Sequence, residues 1–127
     1  MQIKLARILN AHQTLQKFAS NSFSALTAWD LMVILKKLSE HYEQYAQIVG
    51  KIREKYGKFN EEQNTYILDP SDEENVAKAN KEHEDLINKE IEIECPKIKL
   101  SELTSEKVSI MDLIEIEWLI EDDRRPE

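Results

Sequence analysis

The sequence predicts a mainly α fold with a small antiparallel β element (α+β), built around one long helix in an antiparallel helical bundle. Three observations predict it. The residues Leu31, Leu35, Leu38, Tyr42, Tyr45, Val49, Ile52 and Tyr56 follow one another at spacings of four and three without a break, which describes one apolar seam on a single helix. Two shorter stretches on either side show the same helical periodicity. The run Glu90-Ile91-Glu92-Ile93-Glu94-Cys95 alternates strictly, as a half-buried strand does.

The elements follow in chain order. Gln2-Ile3-Lys4-Leu5 alternates as a short strand. Ile8, Leu9, Leu15, Phe18 and Ala19 then mark a helix from Ala6 to about Ala19, with His12 on the same stripe. Ser20-Asn21-Ser22 breaks this helix, and Ser24 is a candidate cap for the next. The long helix runs from Ser24 to Tyr56, with Trp29, Ile34 and Ile48 widening its seam. Gly57 stops it, and Lys51, Arg53, Lys55 and Lys58 lie near the negative end of its dipole. Such a helix is roughly 50 Å long, against a diameter of roughly 36 Å for a compact body of this size. The mismatch calls for an elongated molecule, a kink, or a second subunit over part of the seam.

A connector over 58–70 contains Tyr66-Ile67-Leu68 as an edge strand. Asp69-Pro70-Ser71-Asp72 turns into a further helix to about Lys89, with Ser71 as its expected cap and Asp72, Glu73 and Glu74 in its first turn. This helix is the natural antiparallel partner of the second half of the long one. Pro96 confines the alternating strand to an edge. The extended run continues through Ile98-Lys99-Leu100, which can pair with the similar Ile3-Lys4-Leu5. A last helix, capped by Ser109, runs through Met111, Leu113, Ile114, Trp118, Leu119 and Ile120. The expected organisation is one helical domain over 1–120 with a polar tail over 121–127.

Composition bounds the function. The chain has 127 residues and a formal charge of −8, distributed as +5 over 1–58, −7 over 59–100 and −6 over 101–127. The acidic total argues against direct nucleic-acid binding. No apolar run reaches membrane-span length, so no membrane association is expected. One cysteine excludes an internal disulfide framework, and two glycines leave no phosphate-cradling loop. His12, His41 and His83 stand in no metal-ligand spacing. Glu90, Glu92 and Glu94 share a strand face that could attract a divalent cation, but their bland reading as a solvated edge that deters aggregation is preferred. Cys95 reads as a buried structural thiol. The expectation is therefore a non-enzyme with no catalytic residue, metal or cofactor.

One region offers a recognition surface. Asp112, Glu115 and Glu117, followed by Glu121, Asp122 and Asp123, surround Trp118. Either Trp118 packs in the core of an amphipathic helix, or it is an aromatic anchor within an acidic patch that suits a basic protein surface. The same patch could imitate nucleic-acid phosphates.

Taken together, Ile3-Lys4-Leu5, the helix Leu9 to Lys17, Lys55-Tyr56-Gly57 closing the long helix, the strand Ile98-Lys99-Leu100-Ser101-Glu102-Leu103 and the helix Ser109 to Ile120 form an order of pieces that resembles a group of small tailed-phage and prophage proteins of unknown function. The resemblance covers nearly the whole chain and carries no catalytic residues. It implies a phage context with either a virion-associated or a host-interacting role. The leading expectation is a non-enzymatic phage protein-interaction module, a virion or assembly component. The alternative is a small acidic inhibitor of a host protein. The expected partners are a phage structural or host protein and a second copy of the chain in a homodimer or higher homo-oligomer. The expected location is the host cytoplasm, extending to the virion.

Overall fold

The long helix forms as its apolar period requires. It is α2, Ala25–Tyr56, and its 32 residues extend about 48 Å. Ser24 caps it, its hydroxyl oxygen accepting the Thr27 N–H at 3.4 Å. Gly57 ends it in an extended conformation rather than a left-handed one. Glycine is needed there for close approach, because a Cβ would stand 2.6 Å from the Arg53 carbonyl oxygen and 2.8 Å from that of Ile67. The computed structural model describes residues 1–103 and 108–124.

Before α2 come β1, Gln2–Lys4, and α1, Leu5–Gln16. After it come β2, Lys58–Asn60, and β3, Thr65–Ile67, then α3, Glu73–Ile87. Strand β4, Glu90–Glu92, and β5, Ile98–Lys99, lead to a 3₁₀ turn at Leu100–Leu103. Helix α4, Ile110–Ile116, passes through a second 3₁₀ turn, Glu117–Leu119, into β6, Ile120–Glu121. The fold is mainly α with small two-stranded β elements, as the periodicities predict.

Strands β1 and β4 pair antiparallel, with Ile3 opposite Ile91. Strands β2 and β3 form an antiparallel hairpin whose turn places Asn64 at φ 54°, a left-handed conformation that asparagine tolerates better than most residues. Strands β5 and β6 pair in parallel, Ile98 with Ile120 and Lys99 with Glu121. The core centres on α1. Its Ile8, Ala11 and Leu15 are fully or almost fully enclosed by Leu31, Ile34 and Leu38 of α2, by Ile93 and Ile98, and by Ile116, Trp118 and Leu119. Helix α3 is a satellite that contributes only Ala79 to the buried set. It packs against the second half of α2, where Tyr45 meets His83 and Lys55 meets Glu82.

Several expectations need correction. The two Ile-Lys-Leu segments do not pair with each other. Register with the acidic run captures β1, and β5 takes β6 instead. The segment 98–103 is a strand only at Ile98–Lys99, since Leu100–Leu103 coils into the 3₁₀ turn. Asp72, not Ser71, caps α3, accepting the Asn75 N–H at 3.2 Å. Ser71 is occupied with the Asp69 carboxylate, to which it donates both its N–H and its hydroxyl. Helix α1 stops at Gln16 rather than Ala19. The last helix stops at Ile116 because the chain must straighten to lay Ile120 beside Ile98. The long seam is fully enclosed only at Leu31 and Leu38, in its first half; Leu35, Tyr45, Val49, Ile52 and Tyr56 are half-buried and Tyr42 is exposed, and of the residues expected to widen it Ile34 is enclosed while Trp29 and Ile48 are exposed.

Candidate interaction surface

The acidic C-terminal region rests on α4, whose position follows from local chemistry. Ser109 caps it as expected, its hydroxyl oxygen accepting the Asp112 N–H at 3.0 Å. The Lys17 ammonium donates to the Asp112 carboxylate at 3.0 Å and tethers α4 to the end of α1. That ammonium, helped by the cap, holds the Asp112 carboxyl below its ordinary range. Ile116, one turn along the same face as Asp112, enters the core, followed by Trp118 and Leu119 of the 3₁₀ turn.

Trp118 is 8% exposed and therefore a core side chain, not an anchor presented to a partner. Its Nε1 is buried and makes no hydrogen bond among the described residues. Several of the other expected site residues are used inside the molecule. Glu117 lies 3.7 Å from the Arg7 guanidinium. Asp122 accepts two guanidinium bonds from Arg124, at 2.8 and 2.9 Å, which lower its pKa to about 2. Asp123 accepts the Ser101 backbone N–H at 2.9 Å and the Ser101 hydroxyl, and both depress its pKa. Glu115 is half-buried and Glu121 is exposed within β6. The boundary expected at residue 120 thus falls inside a paired strand, and residues 125–127 of the expected tail lie outside the described residues.

The region does present exposed apolar side chains, among them Met111 and Ile114, which the sequence pattern placed on the apolar side of the last helix. Ile110, Met111 and Ile114 are 78%, 62% and 52% exposed. Ile110 and Ile114, with Leu113, Glu117, Ile120 and Asp122, line a shallow depression of about 370 Å³. Leu26 and Trp29, at the start of α2, are a second exposed apolar pair beside Lys97 and Lys99. The misassignment has a readable cause. The apolar positions 110, 111, 113, 114 and 116 occupy nearly every side of a two-turn helix, so periodicity cannot say which are covered. Leu26 and Trp29 stand off the four–three seam, and that was the available signal.

The groups weighed for other chemistry are also placed. Cys95 is half-buried, and burial pushes its thiol pKa up. His12 is buried against Ser39, and His83 Nε2 and the Tyr45 hydroxyl share a hydrogen bond at 2.7 Å. Among the described residues no three His, Cys, Asp or Glu side chains are grouped to hold a metal ion. No helix there is long and apolar enough to cross a membrane. No protein-family model, curated protein or solved structure matches the chain.

Proposed function

We propose that the chain is a non-enzymatic protein-interaction module acting in a phage, as a virion or assembly component, and that α4 carries its contact surface. The observation that supports this reading is the exposure of Ile110, Met111 and Ile114 on a helix whose opposite side is anchored in the core. Apolar side chains gathered in this way cost free energy in water and mark a surface that is covered in use. Burial of Ile116, Trp118 and Leu119, with the Lys17–Asp112 contact beside them, keeps the helix oriented for docking. The acidic patch alone is the weaker recognition element, because Asp112, Glu117, Asp122 and Asp123 already hold partners within the chain.

The test is to follow a tagged chain through phage assembly. The double variant Ile110→Ser, Ile114→Ser should keep the wild-type melting temperature and fail to enter purified particles. A wild-type chain absent from purified particles, with a host protein co-purifying instead, would transfer the reading to the inhibitor. Incorporation of the double variant at the wild-type level would remove α4 as the contact surface.

A further inference from the structure

A larger cleft, which shares no residue with the α4 depression, lies where α1 and α2 approach the turn that joins them. It encloses about 540 Å³. Leu15 of α1, Phe18 and Phe23 of the turn, and Leu31, Met32 and Leu35 of α2 give it an apolar lining. Leu15, Phe18 and Leu31 are buried and form its floor, whereas Met32 keeps 37% of its surface open. Ala19 and Ala28 also line it, and their small side chains leave the space unfilled. His12, buried and bonded to Ser39 Oγ at 3.0 Å, bounds the space between the helices at the other end. A bounded, mostly apolar cleft of this volume between two helices is in the range of small-molecule sites.

The lining changes character along α2. From Ala28 to Leu35 it is apolar, and beyond that the charged Lys36, Glu40 and Glu43 stand on the rim, on one side of the helix at spacings of four and three. Among the described residues none of these three side chains forms an ion pair within the chain. Lys36 precedes Glu40 by four residues, a spacing at which it can neutralise that carboxylate, and Glu43 then remains unmatched. With two carboxylates to one ammonium on the rim and −8 on the whole chain, the local field favours a cation and opposes an anion. Met32 and Glu40 are about 12 Å apart along the helix axis, which sets the distance between the apolar and charged ends of a fitting molecule. Met32, unbranched and polarizable, can shape itself to the apolar end.

We propose that this cleft binds a small apolar amine, its apolar body lying between Phe18, Phe23 and Met32 and its ammonium group at Glu40 and Glu43. Burial of the apolar body supplies the affinity, and the carboxylates select the charge. A molecule with an apolar body and a carboxylate is rejected at the same rim, and a cation without an apolar body leaves the floor uncovered. The site goes beyond the α4 contact surface and does not depend on it.

The experiment titrates phenylbutylamine, phenylbutanol, phenylbutyrate and spermidine into the isotopically labelled full chain and follows backbone amide shifts. The amine should move the amides around Phe18, Met32 and Leu35 together with those of Glu40 and Glu43. The alcohol should bind at the same place more weakly, the carboxylate more weakly still, and spermidine should leave the amides of the apolar residues unmoved. Glu40→Gln combined with Glu43→Gln should weaken the amine roughly three-fold or more, the size expected for exposed charge pairs, and leave the alcohol unchanged. Ala28→Phe, at an exposed position, should fill the cleft and abolish binding of both amine and alcohol. If Ala28→Phe lowers the melting temperature, the double Gln variant, changed only at exposed positions, carries the test. The proposal is overturned by the absence of localised shifts up to about 10 mM amine, by phenylbutyrate binding as tightly as the amine, or by amine affinity unchanged in the double Gln variant. It is equally overturned if spermidine moves the same apolar amides, or if those amides shift with protein concentration alone, which would make a second copy the occupant.

Discussion

Two side chains show how local environment decides what a residue does. Trp118 sits among Ile116, Leu119 and the residues of α1, so Trp118→Ala should cost about 3–5 kcal/mol. Its buried Nε1 makes no hydrogen bond among the described residues, so Trp118→Phe forfeits no such bond and should cost much less. Denaturant unfolding of the two variants checks both values, and equal losses would mean that the indole N–H is used. His12 has its pKa lowered from the ordinary histidine value because burial disfavours its charged form. Its contribution to stability is therefore complete above about pH 6.5, the unfolded value, and is lost as pH falls towards the lower folded value. The melting temperature should fall as pH drops below about 6.5, and His12→Gln should flatten that part of the profile. A profile identical in the two proteins would place the titration elsewhere.

At the scale of elements, α2 is one helix with two environments. Its first half is enclosed by α1 and the C-terminal segment, while its second half is covered on one side by α3. Leu38 is fully buried and Val49 half-buried. Leu38→Ala should cost about 2–5 kcal/mol. Val49→Ala, with less area to lose, should cost no more than about 1 kcal/mol. Equal costs from chemical denaturation would show that the second half is as well packed as the first. The strands illustrate a different rule. Elements of two or three residues such as β1, β5 and β6 have too little pattern to choose a partner, and their pairing follows from where the helices deliver them.

At the scale of the molecule, the excess length noted in the sequence persists as uncovered surface, with Tyr42 and Ile48 open on the second half of α2 and Leu26 and Trp29 open at its start. A second copy is one way to cover it. We expect a homo-oligomer, most simply a two-fold dimer, and light scattering at high protein concentration should give twice 14.9 kDa. A mass that stays at 14.9 kDa at every concentration would contradict it.

The sequence by itself determined the four helices, the Ser24 and Ser109 caps, the stop at Gly57 and the contact of α3 with the far half of α2. These depend on periodicity and on hydrogen bonds closed within a few residues, which are local properties of the chain. Only the tertiary structure decided that Trp118 is interior while Ile110 and Met111 are not, that β5 joins β6, and that His12 of α1 stacks on Tyr42 of α2. Each of these depends on which distant segment arrives to cover a face. That choice is made by the sum of burial over the whole core rather than by any one stretch of sequence.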